Sequence, residues 1–346
     1  VSKVSGIRWL RLFGVLLLLG AVAVGAIAWQ VQMRLQQPAV PGDKSIRLVI
    51  EPGMSFRSTA RQLAAEGGFA HPQLLAYYAR YRKLAARVQA GEYDLAPGLS
   101  IDDLLAQLTS GEVVTYSLTV VEGWTFREFR AALAASQEVE HTIDPQTPAA
   151  EVMAQLGMPN VHPEGRFFPD TYVFARGTAD TTILKQAARA LESRLAKAWE
   201  VRSEDCPLQS KDEALILASI IEKETARADE RRQIAGVFCR RLRKGMRLQT
   251  DPTVIYGLGP DFNGDITRRD LRTDTPYNTY TRAGLPPTPI ALPGEGSLRA
   301  AVDPLEGETL YFVATGNGDG SHYFSRTLAE HEKAVARYLK TLRANK

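Results

Sequence analysis

The sequence predicts an α+β protein mounted on a single N-terminal transmembrane helix. Three features carry that expectation: an uncharged apolar stretch near the N-terminus, a strand-turn-helix pattern that recurs after it, and a later helix that is apolar on every face and ends in acidic residues. At 346 residues and 38.1 kDa the chain can fill two or three domains with a substantial core. Its 42 basic residues nearly balance 39 acidic ones, and a pI of about 8.8 gives no electrostatic footprint for nucleic acid.

Leu12 to Trp29 reads LFGVLLLLGAVAVGAIAW, close to the roughly 20 apolar residues a bilayer-spanning helix needs. Lys3, Arg8 and Arg11 precede it, and Gln30, Gln32 and a single Arg34 follow, so the positive-inside bias puts the N-terminus in the cytoplasm and the bulk outside. A cleaved signal peptide competes, since its first segment is also basic and Ala21 to Ala28 contains small residues. The length of the stretch and its end at Trp29, an interfacial residue type, favour the uncleaved anchor. Both readings export the protein. Cys206 and Cys239 could pair in an oxidising compartment, but sequence says nothing of their distance, and the expectation is two unpaired thiols with Cys239 on a helix face.

Gln36 to Lys44, with Pro38, Pro41 and Gly42, reads as a linker. Ser45 to Ile50 then alternates as a strand, and Glu51-Pro-Gly-Met-Ser-Phe56 turns into a helical stretch, Thr59 to Glu66. A related unit is Val120-Val-Glu-Gly-Trp-Thr-Phe-Arg127 followed by Phe129 to Ala135, and a weaker echo is Pro97-Gly-Leu-Ser100 before Ile101 to Leu108. In each copy Gly permits the positive φ of a tight turn and the following Ser or Thr supplies an N-cap oxygen. The units resemble LysM-like modules, small β/α units that bind N-acetylglucosamine-containing glycans and also use a Pro-Gly-x-Ser/Thr turn. Any strand entering a helix can use the same turn chemistry, and the third copy reads better that way.

Glu140 to Ala150 is polar and Pro-containing, a loop or lid, and Glu164 to Tyr172 is dense in aromatics and turn residues. Thr181 to Trp199 reads as a helix, and Ser210-Lys-Asp-Glu213 has capping-box spacing. From that cap, Ala214 to Ile221 is apolar on all faces, as in a helix buried on every side, and Glu222, Lys223, Glu224 and Thr225 follow. Glu222 has no opposite charge three or four residues away, whereas Arg227 follows Glu224 by three, the spacing of a surface pair. Two residues apart, the two glutamates point to nearly opposite sides, so one at most faces a given cleft. Apolar surroundings and the negative end of a helix dipole disfavour an anion, and a neutral Glu near neutral pH is a general acid. Glu222 is the candidate; the plain alternative is a solvated glutamate where the helix surfaces.

Gln233 to Leu242 is amphipathic, and Arg240, Arg241, Arg243 and Lys244 complement its C-terminal dipole before Gly245. Met246 to Gly257 sets Gln249, Thr250 and Asp251 beside Tyr256, the mix a sugar site uses: rings stack on pyranose faces while amides and carboxylates meet hydroxyls. Thr275 to Pro287, with Asn278 and Tyr280, repeats that chemistry on Pro- and Gly-rich loops.

Ser219-Ile-Ile-Glu222-Lys-Glu-Thr225, Arg247-Leu-Gln-Thr-Asp-Pro-Thr-Val-Ile-Tyr-Gly257 and Tyr277-Asn-Thr-Tyr280 with Gly284-Leu-Pro-Pro287 closely resemble the YceG-like, or MltG, endolytic murein transglycosylases. The resemblance runs from the apolar stretch to Tyr311-Phe-Val313, His322, Phe324 and His331. It implies a bacterial inner-membrane enzyme with its catalytic domain in the periplasm. Such an enzyme cleaves the β-1,4 bond between N-acetylmuramic acid and N-acetylglucosamine inside nascent strands, leaves a 1,6-anhydro end and terminates elongation. The implied organisation is a cytoplasmic tail over 1–11, a transmembrane helix over 12–30, a linker over 31–44, a LysM-like subdomain over 45–117 and a mixed α/β catalytic domain over 118–346, with the active-site Glu on a buried helix. The family's catalytic glutamate falls on Glu222, and Gln249, Thr250, Asp251, Tyr256, Asn278 and Tyr280 are expected to hold the sugar and orient it. The muramyl C6 hydroxyl replaces water in such a reaction, so one carboxyl suffices where ordinary glycosidases need two.

A hydrolase would need a second carboxylate, for which Asp251 is the candidate, although Asp before Pro252 also serves as a turn residue. A wall-binding protein without activity is a further alternative. No phosphate loop, dinucleotide fingerprint or metal-ligand spacing among the five histidines calls for a cofactor or metal. Expected partners are peptidoglycan strands, the membrane and, by the resemblance, peptidoglycan synthases.

Overall fold

The computed structural model describes residues 3–344. Helix α1 (Lys3–Leu35) contains the stretch Leu12–Leu35, which is long and apolar enough to cross a membrane and whose most apolar window is not buried inside the protein. It continues five residues past the expected end at residue 30, because Val31 to Leu35 contains no helix breaker. The chain divides into two compact units, Val1–Tyr116 with Ala175–Gly177, and Ser117–Phe174 with Thr178–Lys346.

In the first unit, β1 (Ile46–Ile50) pairs antiparallel with β2 (Gly91–Leu95), from Ile46 opposite Leu95 to Ile50 opposite Gly91. Alternation sends Ile46, Leu48 and Ile50 into the core, where α2 (Phe56–Ala65), α3 (Pro72–Tyr81) and α4 (Ile101–Ser110) add Leu63, Leu75, Leu104 and Leu108. Ser55 and Ser100 cap α2 and α4 through their hydroxyls, each behind a positive-φ glycine, Gly53 and Gly98. The segment expected as a free linker is folded in: Ala39 and Val40 are fully buried, Ala39 N donates to Leu99 O at 2.7 Å, and Phe69 N donates to Ala39 O at 2.9 Å.

The second unit begins with a pairing of β3 (Thr115–Thr119) and β5 (Thr171–Ala175). Helix α5 (Phe126–Ala135) carries a complete capping box, in which Thr125 and Glu128 satisfy each other's backbone N–H. It drops Phe126 onto Phe167 in a stacked contact of 5.1 Å and Phe129 edge-on at 5.8 Å, the core purpose of the aromatic run after Glu164. A short parallel pairing of β4 (Val139–Glu140) with β6 (Thr178–Ala179) follows, with α6 (Ala149–Gln155) between them in sequence. The intervening loop is tied down: Arg130 donates to the carbonyls of Asp144, Pro145 and Thr147, and Asp180 accepts from Thr142 and Ile143.

Helix α8 (Lys211–Glu224) has every residue from Ala214 to Ile221 buried, as its pattern predicts, because α7 (Asp180–Glu200), α9 (Arg231–Arg243) and α11 (Glu295–Val302) surround it. Its cap differs in one detail. Ser210 Oγ accepts from Glu213 N, but the Glu213 carboxylate takes the N–H of Gln209, one residue before the cap, so the box is only half formed. Cys206 and Cys239 form a disulfide, correcting the expectation of free thiols: the loop after α7 lies against α9 and brings their Cα atoms to 4.8 Å. The hairpin of β7 (Tyr311–Ala314) and β8 (His322–Ser325) and helix α12 (Leu328–Ala344) complete the unit.

Candidate functional site

Glu222 emerges where α8 runs out of buried turns. Its side chain is only 5% exposed, so the carboxylate needs partners, and it has two: Gly294 N donates to Oε2 at 2.9 Å and Arg231 Nη2 lies 3.3 Å from Oε1. The apolar, chargeless setting expected from the helix alone is corrected by these groups. Arg231 stands at the start of α9 and Gly294 before α11, beyond the reach of helical spacing. The same guanidinium nitrogen lies 3.5 Å from Glu122 Oε2, on the turn that leads into α5. Burial, and next the charge of Glu222, push the Glu122 carboxyl above its ordinary range, and Arg231 opposes them. A Cβ on Gly294 would meet the end of the Glu122 carboxylate and one on Gly296 the end of the Arg231 guanidinium, so a larger residue at either position would have to displace those groups.

Glu224 is not the surface partner of Arg227 that its spacing suggests. Arg227 pairs with Asp229 at 2.6 Å and approaches Glu230 and Asp319, while Glu224 accepts the Thr250 hydroxyl. Burial, with Asp251 adding to it, pushes the Glu224 carboxyl up to about 7 against the Thr250 hydrogen bond and Arg241. Both glutamates line one hollow of about 420 Å³ together with Glu122, Lys223, Thr225 and Arg231. Their carboxylates nevertheless end on different partners, Glu222 on Arg231 and Gly294 and Glu224 on Thr250, as their opposite directions on the helix predict.

Of the residues expected to hold a sugar, Thr250, Asp251 and Tyr280 stand around Glu224 and not Glu222. Gln249 is exposed, with a positive φ of 50°, and its N–H donates to Thr279 O. Thr250 is buried and spends its hydroxyl on Glu224. Asp251 and Tyr280 share a 2.5 Å hydrogen bond, the phenol donating. Asp251 and Pro252 are no simple turn; they open helix α10 (Asp251–Leu258), in which Pro tolerates the first turn and Asp favours the helix N-terminus. Asn278 is buried: its amide nitrogen donates to the carbonyls of Asp270, Leu271 and Thr273, and its oxygen accepts from Tyr280 N, so its polar atoms pin the loop.

Tyr256, on α10, faces a separate cavity of about 670 Å³ lined also by Thr125, Glu128, Glu164, Lys223, Tyr277 and Ile290. Its ring meets Tyr277 edge-on at 4.9 Å, and its hydroxyl donates to Glu164 at 3.1 Å. Sequence reasoning passed over Glu164, whose other oxygen accepts Phe126 N, the first amide of α5, at 2.9 Å. Burial pushes this carboxyl up to about 7. It also missed Glu122, Arg231 and Lys223, the last of which lines both hollows and donates to Gly123 O at 3.2 Å. A Gly-Glu-Gly sequence at 294–296 beside a helix start was the one local sign of a crowded backbone there. His322 donates to or accepts from Glu230 at 2.6 Å, and His331 stacks on Tyr311; among the described residues no cluster has metal-ligand composition.

Residues 48–337 match the YceG-like family. A protein of Bacillus subtilis named endolytic murein transglycosylase is 33% identical over 324 residues, 88% of each chain. One of the same name from Streptococcus pneumoniae is 27% identical over 86% of this chain and 59% of its own length. A solved structure of a yceG-like protein from Listeria monocytogenes superposes with a TM-score of 0.53 at 30% identity, covering 84% of this chain and 99% of that one. By the extent of the family match and of the Bacillus alignment, this chain belongs to the YceG-like family.

Proposed function

We propose that the chain is an endolytic murein transglycosylase, held in the bacterial inner membrane by α1 with the rest of the chain in the periplasm. The names of its relatives support the reaction, and the apolar length of α1 supports the anchor. The observation that carries the reading is Glu222: a carboxyl on the last turn of a helix buried from Ala214 to Ile221, with a backbone N–H and a guanidinium on its oxygens, opening on a hollow.

Glu222 gives its proton to the glycosidic oxygen between N-acetylmuramic acid and N-acetylglucosamine as the bond to C1 breaks. The resulting anion faces Arg231 and the Gly294 amide, fixed dipole and charge that need no reorganisation. The C6 hydroxyl of the muramyl residue then closes on C1 and returns a proton to Glu222, leaving a 1,6-anhydro end, with the acetamide of the substrate supporting the cation. Tyr256, Tyr280 and Gln249 supply ring faces and an amide to the sugars, while Thr250, Asp251 and Asn278 hold the frame in which they stand. Cleavage within nascent strands terminates their elongation, which makes peptidoglycan synthases the natural partners. Residues 45–117, whose β1-α2-α3-β2 order pairs its two strands antiparallel, act as a LysM-like glycan-binding module.

Digestion of purified sacculi by the wild-type chain and Glu222→Gln, with mass analysis of the fragments, tests the reaction. The wild type should release anhydro-ended products and the variant none. Reducing ends carrying solvent oxygen would replace the lyase with a hydrolase, for which Asp251 would have to leave Tyr280.

A further inference from the structure

The charged groups facing Glu222 come from four segments. Arg231 reaches it from α9, Glu122 from the turn before α5, and Lys223 stands beside it on α8. Glu224 on the same helix is engaged by Thr250, and Glu295, which follows Gly294, is engaged by Arg299 and Arg194. Among the described residues, only Glu122 therefore shares the countercharge of Glu222. Both carboxylates contact the same Nη2 atom, at 3.5 and 3.3 Å, so their oxygens are at most about 7 Å apart.

We propose that Glu122 is a positioning residue for Glu222, and that Arg231 serves the two carboxylates in turn, pairing with Glu122 while Glu222 holds its proton and with Glu222 once the proton has gone to the leaving oxygen. The inference rests on the reading of Glu222 as the acid. No proton passes through Glu122 or Arg231: the proton that leaves Glu222 as C1–O4 breaks is replaced from the C6 hydroxyl as C1–O6 forms. What Glu122 supplies is a resting place for a positive charge that would otherwise draw the proton off Glu222 too early.

Gly294 leaves room for the Glu122 carboxylate and Gly296 for the Arg231 guanidinium, whose Nε is buried with no acceptor among the described residues. Two carboxylates on one guanidinium nitrogen repel each other, and the charge of Glu222 accordingly contributes, after burial, to the rise of the Glu122 carboxyl. Glu122 is 47% exposed at its side chain, so solvent damps the coupling, and Arg231 is 15% exposed, so it does not abolish it.

The test is the pH dependence of anhydro-end formation by the full-length chain in detergent. Glu122→Gln keeps the shape and removes the charge, leaving Arg231 wholly to Glu222. The alkaline limb of kcat should move about one pH unit lower, so that kcat above neutral pH falls about tenfold while KM is little changed. Glu122→Ala should move the limb the same way, and Glu122→Asp, which keeps the charge, should restore most of it; thermal unfolding of each variant confirms that it is folded. An alkaline limb unchanged in both neutral variants overturns the proposal, as does a loss confined to KM. If Glu222→Gln itself cleaves at the wild-type rate, the underlying assignment of the acid has failed; if it is silent while Glu122→Gln keeps the wild-type profile, only the sharing has.

Discussion

Replacing Glu164 with Gln should make the protein more stable above neutral pH, although it removes a residue with two hydrogen bonds. Glu164 is 5% exposed, and its carboxyl is pushed from an ordinary 4.5 up to about 7, first by burial, against donation from Phe126 N and the Tyr256 hydroxyl. Because the folded value lies above the unfolded one, the stability this group contributes is fully present below about pH 4.5 and is lost as pH rises to about 7. The loss amounts to about 1.4 kcal/mol per pH unit across that window, or about 3 kcal/mol in total. Gln has no charge to desolvate. It can still accept from Phe126 N and donate to the phenol oxygen, at a cost of about 1 kcal/mol for weaker bonds. At pH 8 the variant should gain about 2 kcal/mol over the wild type, and at pH 4.5 or below it should be about 1 kcal/mol worse. Urea unfolding of the detergent-solubilised chain at the two pH values, followed by intrinsic fluorescence, measures the difference directly. Glu224, the other carboxyl pushed to about 7, titrates in both proteins and cancels. A variant-minus-wild-type difference that is the same at both pH values would show that Glu164 does not carry the buried proton, and the argument from its burial would be wrong.

Reducing the Cys206–Cys239 disulfide should lower stability by about 4 kcal/mol, the chain-entropy value for a loop closed over a separation of 33 residues; an unchanged urea midpoint after reduction, or alkylation of both thiols in the unreduced denatured chain, would contradict it. Glu224→Gln should leave anhydro-end formation within a few-fold of wild type, because its carboxyl serves Thr250 and the α10 frame and not the leaving group. A loss as deep as that of Glu222→Gln would transfer the acid role to Glu224.

The parts of the fold that sequence made legible are those set by chemistry within a few residues. Gly53-x-Ser55, Gly98-x-Ser100 and Gly123-x-Thr125 each produced a positive-φ glycine and a hydroxyl cap, and the apolar run 214–221 became a helix buried on all sides. Even there a local rule slipped by one residue, at Glu213, whose carboxylate takes the Gln209 N–H instead of the amide the box prescribes. The charge environment of Glu222 was not legible. Arg231 lies nine positions on, across a helix break, and Glu122 lies a hundred before it, so both depend on how α5, α8, α9 and α11 pack. The disulfide depended on the same packing. Helix α10 was missed for a different reason: Asp-Pro was read as a turn when Pro in the first turn with a preceding Asp is equally a helix start.

The end of α8 gives two glutamates, two residues apart, opposite treatment. Glu222 meets a guanidinium and an amide N–H, partners that stabilise negative charge when it develops. Glu224 is buried with Asp251 nearby, and these keep a proton on its carboxyl up to about 7 against the pull of the Thr250 hydroxyl, which favours a fixed hydrogen-bonding post. A lone carboxyl that must act as acid and then as base needs the first environment, since its anion has to survive between the two proton transfers. The second environment suits a residue that holds α10 against α8 and never changes state during turnover. That separation of roles follows from where the helix stops. One more turn of α8 beyond Thr225 would move the helix end away from Glu222, whose carboxylate now stands on the last turn. The break at Thr225, whose hydroxyl accepts Arg227 N at 3.0 Å, is therefore as much a part of the site as the carboxyls themselves.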